Sequence, residues 1–347
     1  MKYILITYLL FCTIILNSQT FLPVPDDFGF KEYTIHDDEL GTVQFYVSKQ
    51  NIEKKKPLVI FEQGSGGYPS VFIVHFPDTT ETIPFIETKE YKIMKENFHY
   101  VNIAKPGTPF SMEVTLEDYN FMSFLEYFKP SKEYEERLTL EWRVKASSLV
   151  IDYMCNHFQI DTSKIIVWGG SEGANVAPAV ANYNKKVTHV VSMNGSGFNS
   201  LLDPIINIRN DEIKGKISGQ EAQNQINDLF KQYKDIYQDP TSTDKYWYNH
   251  PYKRWGSFAS SFALEYYVKL DIPIYILGGS RDRNSPILNF DFVQLEFLRL
   301  GKTNLTYDVC VNCDHWLQEQ VTKNGKEITI SHTGDYINKI LNWINEN

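Results

Sequence analysis

Cysteine is scarce in this sequence: 347 residues contain four, and one of them, Cys12, lies in the apolar N-terminal segment. Three remaining cysteines do not make a disulfide framework. Cys310 and Cys313 have the C-x-x-C spacing of a redox pair or half of a metal site, but no second C-x-x-C accompanies them. We therefore expect buried thiols or one isolated disulfide there.

Clustered positive charge is also lacking. Lysine and arginine number 34 against 43 acidic residues, which gives a net charge of −9, and no basic block or stripe is present. A protein that binds nucleic acid through phosphates needs such a patch, so we expect no nucleic-acid partner. The H-E-x-x-H, P-loop and EF-hand spacings are absent as well. The sequence therefore predicts no metal and no organic cofactor.

The N-terminus has one lysine followed by a mostly apolar run of residues 3–16 and then by small and polar residues. This order is typical of a signal peptide, which we place at residues 1–18. The run is shorter than the roughly 20 residues that span a bilayer, so we expect cleavage rather than a membrane anchor. The sequence thus predicts a secreted or periplasmic protein whose mature domain, residues 19–347, has no stable membrane insertion.

Long apolar runs alternate with helical patterns along most of the mature chain, which is typical of an α/β domain with a mostly parallel sheet. Before these runs, two segments flanking residues 39–41 indicate an antiparallel hairpin at the sheet edge. The predicted strands are 57–62, 98–104, 164–168, 187–194, 272–279 and 305–312, and the predicted helices are 86–96, 135–157, 173–183, 287–300 and 334–346.

The alternation breaks twice, at about residues 105–134 and 200–268. A structureless loop of the second length is improbable in a compact domain, so we interpret these segments as cap or lid insertions, the second one helical. The second insertion is rich in aromatic residues, among them Trp247, Tyr248 and Trp255. These could line a substrate pocket or form the core of the cap itself.

The stretch Gly169-Gly170-Ser171-Glu172-Gly173 joins a predicted strand directly to a predicted helix. This is the setting of the G-x-S-x-G nucleophile elbow, in which small residues let the helix approach the strand and the serine is lifted above the sheet. A packing turn with an incidental serine is the alternative. We predict that Ser171 is a nucleophile.

A serine nucleophile needs a base and an orienting acid downstream. Asp282 follows a predicted strand end, and His315 follows the last predicted strand, so both have the expected order. Ser280 repeats the Gly-Gly-Ser triplet but precedes a loop, which makes it a poor nucleophile. His332 is a rival base that lies in the lead-in to the last helix.

Acyl transfer also needs backbone donors for the oxyanion. We expect one from the N–H of Glu172 and the other from the N–H of Ser65, in the glycine-rich loop after the strand at 57–62. The same loop has a faint likeness to a dinucleotide-binding fingerprint, but Pro69 replaces its third glycine and no helix pattern follows. Trp247, Tyr248, Trp255 and Trp316 are candidate substrate-binding residues.

On these motifs the chain resembles serine hydrolases of the α/β-hydrolase superfamily. The segment FQIDTSKIIVWGGSEGANVA is similar to the elbow region of the dienelactone hydrolase and prolyl-oligopeptidase branches. The resemblance implies Ser171 as nucleophile, Asp282 as acid and His315 as base, without a cofactor. The expected function is cleavage of a carboxylic ester in a small molecule. A peptidase or amidase acting on short peptides, and an inactive binding protein of the same fold, are the alternatives.

Overall fold

The computed structural model describes residues 22–86 and 92–347, so the predicted signal peptide at 1–18 lies outside the described residues. A central sheet of eight strands runs in the order β1-β2-β6-β3-β8-β9-β12-β13. Strands β1 and β2 form an antiparallel hairpin, β2 pairs antiparallel with β6, and the other neighbours are parallel. Its strands are β1 (Phe30–Asp37), β2 (Gly41–Ser48), β3 (Lys56–Glu62), β6 (His99–Ile103), β8 (Ile160–Gly170), β9 (His189–Met193), β12 (Ile274–Gly279) and β13 (Leu305–Cys310).

Helices cover both faces of this mostly parallel sheet, which confirms the predicted α/β class. The antiparallel pair β1–β2 at the edge of the sheet confirms the predicted hairpin. The helices are α1 (Lys92–Asn97), α2 (Phe121–Tyr127), α3 (Lys132–Arg137), α4 (Leu140–His157), α5 (Glu172–Tyr183), α6 (Leu202–Ile213), α7 (Gly219–Gln238), α8 (Tyr252–Phe258), α9 (Ala263–Tyr267), α10 (Leu288–Leu300) and α11 (Thr333–Glu346). A single 3₁₀ turn, Pro25–Phe28, precedes β1. The part of the chain described contains no helix that is both long and apolar enough to cross a bilayer.

The core has two layers because successive side chains of a strand point to opposite faces. Leu58 and Ile60 of β3 pack with helices α4 and α5 on one face, whereas Val59 between them packs on the other. Ile166 and Trp168 of β8 join the second layer, which includes the apolar side of α11. Near-continuous apolar runs are therefore required in the central strands, and this is why those strands could be recognised.

A second, smaller sheet was not predicted. It has the order β5-β4-β7 and lies beside the loop that follows β3. Aromatic rings on this sheet and on the segment at 121–128 pack together; Phe72 contacts Phe124 and Phe128 at centroid distances of 5.9 and 5.7 Å. Another unpredicted feature is the hairpin β14–β15, which precedes α11. The bounds are β4 (Val71–His75), β5 (Thr80–Pro84), β7 (Ser111–Thr115), β14 (Gln318–Lys323) and β15 (Lys326–Ser331).

The segment predicted as a helical cap, residues 200–268, contains helices α6 to α9 and a two-stranded ribbon of β10 (Tyr246–Trp247) and β11 (His250–Pro251). A small apolar cluster holds these elements together around Leu201, Tyr233 and Ile236. The other segment predicted as a cap or lid, residues 105–134, contributes β7, α2 and the start of α3. Of the two segments, residues 200–268 have a small apolar core of their own, separate from the two layers on the central sheet.

Helix α5 contains a proline, Pro178, which has no N–H to donate to the carbonyl of Ala174. That carbonyl instead accepts hydrogen bonds from the hydroxyls of Ser192 and Tyr267, both at 3.1 Å. Ser192 lies on β9 and Tyr267 on α9. The carbonyl that lacks its helical hydrogen bond thus links α5 to the central sheet and to helix α9.

Glycine is needed at particular points where α5 leaves β8. A Cβ at position 169 would lie 2.0 Å from the backbone oxygen of Gly173, whereas a Cβ at position 170 would meet nothing within 4 Å. We expect Gly169→Ala to lower the free energy of unfolding by about 3 kcal/mol or more, because the helix would have to move off the strand. Gly170→Ala, the adjacent control, is expected to stay within about 0.5 kcal/mol of the original protein. Urea unfolding measures both, and equal losses would contradict this view of the turn.

Candidate active site

The turn between β8 and α5 presents Ser171 in a strained conformation. Its backbone has φ 54° and ψ −121°, a region that residues other than glycine seldom adopt. Its N–H donates to the carbonyl of Met193 on β9 at 2.9 Å, which fixes the turn to the neighbouring strand. Strain of this kind is held by the surrounding structure and occurs often at functional sites. The serine predicted as a nucleophile is therefore raised at the end of the sheet, as the elbow requires.

The three predicted catalytic residues meet at this point. The Ser171 hydroxyl lies 3.2 Å from Nε2 of His315, and Nδ1 of the same ring lies 2.7 Å from a carboxylate oxygen of Asp282. Because a carboxylate only accepts, His315 donates from Nδ1, and its Nε2 is left as the acceptor for the serine proton. The other Asp282 oxygen accepts from the N–H groups of Asn284 and Ser285 at 2.7 and 2.9 Å. The side chain of Asp282 is fully buried.

The loop that carries His315 is tied down on both sides. Cys310 and Cys313 are joined by a disulfide, one of the two states expected for them. The N–H of Arg281, next to the acid, donates to the carbonyl of Cys313 at 2.8 Å. The side chain of Asn194 donates to the backbone carbonyl of His315 at 2.9 Å. Asp282 and His315 therefore belong to one cross-braced pair of loops at the ends of β12 and β13.

The two rivals to these residues have other contacts. Ser280 lies outside the triad, and its hydroxyl accepts from the N–H of Asn312 at 2.8 Å, so it braces the loop before His315. His332 precedes α11 and pairs with Glu319 at 3.2 Å. Neither residue contacts Ser171 among the described hydrogen bonds.

The expected oxyanion donors flank the nucleophile. Helix α5 begins at Glu172, so the N–H of this residue is at a helix N-terminus and has no intrahelical acceptor. On the other side, a Cβ built on Gly64 would lie 3.7 Å from the Ser171 hydroxyl, so the loop after β3 passes directly beside it. Ser65 follows in that loop and is exposed. Its role as a donor stays a prediction.

A buried ionic cluster that the sequence did not reveal lies next to the turn. Arg143 of α4 bonds to Glu62 at 2.8 Å and to Glu172 at 2.9 Å. Arg254 of the cap bonds to the other oxygen of Glu172. These four side chains are at most 7% exposed, and the ammonium of Lys105 is buried beside them. A charge at the end of an apolar strand, as at Glu62, is the one local signal that could have suggested such a cluster.

The cluster lowers the pKa values of two of its own members, Glu172 and Lys105. Burial alone would raise the pKa of Glu172, but Arg254, Lys105 and Arg143 outweigh it and lower that pKa to about 2. Burial is the main cause that lowers the pKa of Lys105 to about 7, and the positive charge of Arg143 adds to it. Glu172 is therefore ionised throughout the neutral range, whereas Lys105 is poised to change charge near neutral pH.

The four aromatic residues predicted to bind substrate differ in position. Trp247 and Trp255 are partly buried against the cap's own core, and Trp255 donates its indole N–H to the carbonyl of Trp247 at 2.7 Å. These two therefore have a packing role whatever else they do. Tyr248 is 67% exposed and Trp316 is 62% exposed, the latter with its ring 5.6 Å from that of His315. Binding of substrate by any of the four stays a prediction.

A substitution in the cluster tests how much the site depends on it. Glu172→Gln would leave the buried Arg254 without its carboxylate and Arg143 with Glu62 alone, and we expect a loss of about 3–5 kcal/mol in the free energy of unfolding. The control is Glu141→Gln, which breaks an exposed pair with Lys145 and should lose less than about 1 kcal/mol. Urea titration at neutral pH measures both, and similar losses in the two variants would contradict the structure.

We also expect the stability difference between the original protein and Glu172→Gln to depend on pH. Because the pKa of Glu172 is lower in the folded protein than its ordinary value of 4.5, its contribution to stability is complete above pH 4.5. This contribution is lost as the pH falls through about 2. The difference between the original protein and Glu172→Gln should therefore shrink in acid. A difference that grew as the pH fell would mean that the carboxyl group is not ionised in the fold.

The part of the chain that contains the turn resembles one known protein family. A family model described as BAAT / Acyl-CoA thioester hydrolase C terminal matches residues 148–253. The match begins inside α4 and ends in α8, so it includes Ser171 but neither Asp282 nor His315. No curated protein sequence matches the chain.

Solved structures share the architecture at low sequence identity. A putative dipeptidyl aminopeptidase IV from Bacteroides ovatus is 10% identical with a TM-score of 0.53, over 92% of this chain and 36% of its own. A puromycin-hydrolyzing peptidase from Mycobacterium tuberculosis is 13% identical with a TM-score of 0.50, over 83% and 36%. The α/β hydrolase GrgF from Penicillium sp. sh18 is 13% identical with a TM-score of 0.54, over 91% and 98%. The chain thus spans 36% of each peptidase but nearly all of GrgF, and its fold is the α/β-hydrolase fold.

Proposed function

We propose that this protein is a serine hydrolase that cleaves a carboxylic ester or thioester through an acyl-enzyme. The observation that carries the proposal is the continuous contact from the Ser171 hydroxyl to Nε2 of His315 and from Nδ1 of that ring to Asp282. The three side chains come from the ends of three different strands, and no purely structural role requires them to meet at the strained elbow.

In the first half of the reaction the Ser171 oxygen attacks the carbonyl carbon and Nε2 of His315 takes the hydroxyl proton. The carbonyl π bond opens to an oxyanion, which accepts from the N–H groups of Glu172 and Ser65. Asp282 keeps the imidazole in the Nδ1–H tautomer and stabilises the imidazolium. His315 then protonates the leaving alcohol or thiol as its bond to the carbonyl carbon breaks.

The second half repeats these steps with water as the nucleophile. His315 accepts a proton from water, the hydroxide attacks the acyl carbon, and Ser171 leaves with the proton that His315 returns. The products are a carboxylic acid and the free enzyme. Each step uses only side chains and backbone groups of this chain together with water.

An ester or thioester is favoured over a peptide by two observations. The matching family model carries the description of an acyl-CoA thioester hydrolase. The adjacent pair Glu135-Glu136 lies on the short helix α3, where Glu136 is exposed, so it offers no buried pair of carboxylates for a peptide N-terminus. The peptidases with the same fold keep amide cleavage as the competing outcome.

Export of the mature protein belongs to the same proposal. It rests on the basic residue and the apolar run of residues 1–18. Expression of the full chain in a bacterial host, followed by N-terminal sequencing of the secreted or periplasmic product, tests it. A product that retains Met1 in the cytosol would contradict export without affecting the proposed chemistry.

Removal of the nucleophile is the direct test. We expect Ser171→Ala to lower kcat for a p-nitrophenyl ester on the order of 10⁴-fold or more, with a nearly unchanged melting temperature. A fluorophosphonate should form an adduct on Ser171, located by peptide mass mapping. The matched control is Ser280→Ala, which alters the other Gly-Gly-Ser triplet; it removes only a brace of the loop before His315, so it should keep the adduct on Ser171 and lose far less activity than Ser171→Ala.

Substrates that share one acyl group and differ in the leaving group then identify the bond. An oxygen ester, a CoA thioester and an anilide are compared by kcat/KM. Preference for either ester supports the proposal, whereas preference for the anilide makes the protein an amidase. No turnover and no adduct on Ser171 would support the inactive binding protein.

A further inference from the structure

Lys105 has an unusual position for a lysine, because its side chain is buried against the loop that follows β3. Its ammonium donates hydrogen bonds to two carbonyls of that loop, Gly64 O and, at 2.6 Å, Gly66 O. Arg143 donates to a third carbonyl, Gln63 O, at 2.8 Å. Buried cations thus hold three backbone oxygens of one short loop.

The contact between Lys105 and Gly64 O also fixes the direction of the Ser65 N–H, because both groups belong to the Gly64–Ser65 peptide. In a trans peptide the C=O and the following N–H point in opposite directions, and the described residues contain no cis peptide bond. Since Gly64 O is directed at Lys105, the N–H of Ser65 is directed away from it. Gly64 itself lies against the nucleophile, because a Cβ built on it would be 3.3 Å from Ser171 Cβ.

We propose that Lys105 is a positioning residue for the oxyanion hole: by holding Gly64 O and Gly66 O it orients the N–H of Ser65 toward the oxygen that becomes charged when Ser171 attacks. This inference rests on the proposed function. Lys105 touches no substrate in this role and acts through the backbone of the loop.

The chemistry of the side chain suits this task. An ammonium has three N–H donors and no acceptor, so one lysine can hold two carbonyls from a single point. The neutral amine still has two N–H donors, so a pKa near 7 does not abolish the contact. Burying the ammonium is unfavourable, and an apolar side chain could fill the space without that penalty. Lys105 therefore contributes to the loop through its N–H donors rather than through packing.

The chain offers a matched control in Lys56. This residue is also buried, begins β3, and donates to two backbone carbonyls, Gln50 O at 2.6 Å and Lys95 O at 3.2 Å. It lies at the opposite end of the strand from the loop, about 20 Å away by the rise of a strand. A purely structural effect of removing a buried lysine should appear equally at Lys56 and Lys105.

The experiment compares Lys105→Met and Lys56→Met in the full-length mature protein, with a p-nitrophenyl ester and a fluorophosphonate as probes. We expect Lys105→Met to lower kcat and the rate of phosphonylation of Ser171 about 10²-fold, because a misplaced oxyanion donor acts on the transition state. KM should change little. Lys105→Arg keeps a donor to the loop and should recover part of kcat, and Lys56→Met should keep the original kcat.

Each outcome decides the inference. A folded Lys105→Met with the original kcat and labelling rate would overturn the positioning role while the serine hydrolase stands. Equal losses in Lys105→Met and Lys56→Met would reduce Lys105 to a structural residue. An original protein that neither turns over the ester nor labels at Ser171 would overturn the proposed function, and this inference with it.

If Lys105→Met does not fold, a crystal structure of the phosphonylated original protein provides the test. The expected result is a phosphonyl oxygen within about 3 Å of the N–H groups of Ser65 and Glu172, with Lys105 still bonded to Gly64 O. A phosphonyl oxygen bound by the Lys105 ammonium itself, or by other donors, would overturn the proposal.

Discussion

The site depends on one steric constraint: the backbones of β3, β8 and α5 approach each other where no side chain fits between them. A Cβ at Gly173 would lie 2.0 Å from the carbonyl oxygen of Glu62, just as one at Gly169 would strike Gly173. The two glycines let β8 turn into α5 within one residue. That residue is Ser171, whose positive φ is a strained backbone conformation. The nucleophile and the loop after β3 become neighbours for the same reason.

The close approach also brings unlike charges together inside the protein. Glu62 ends β3 and Glu172 begins α5, so two carboxylates are buried where the strand and helix meet, and Arg143 bridges them. Removing such charges from water is unfavourable, and the pairs offset this only when their geometry is good and every partner is present. Arg254 of α8 completes the set. The segment of residues 200–268 is therefore joined by a buried ion pair to Glu172, the residue that follows Ser171.

Local signals made the sheet and the meeting of Ser171, His315 and Asp282 predictable, and the absence of such signals explains what was missed. The run ending at Trp168 and the glycines around Ser171 carry their structure within a dozen residues, and the order of Asp282 and His315 follows the strand ends. The ionic cluster joins five distant segments, and in the sequence every charge except Glu62, at the end of an apolar strand, looks like an ordinary surface residue. The small sheet pairs residues of β4 and β7 that are 40 positions apart, as Val71 and Ser111 are, and β5 is largely exposed and lacks an apolar pattern.

The positive and negative charges of the cluster nearly cancel, so its net electrostatic effect on Ser171 is small. Lys105, Arg143 and Arg254 face two carboxylates, so at most one positive charge remains, and the low pKa of Lys105 reduces even this near neutral pH. A strong field at the turn is therefore not what the cluster provides. Its hydrogen bonds instead fix the carbonyls of the loop after β3 and the side chain of Glu172, the first residue of α5. In the oxyanion hole that we propose, the N–H dipoles of Ser65 and Glu172 are thereby oriented before any substrate arrives. Fixed dipoles need no reorganisation when charge develops, and this makes them effective at stabilising an oxyanion.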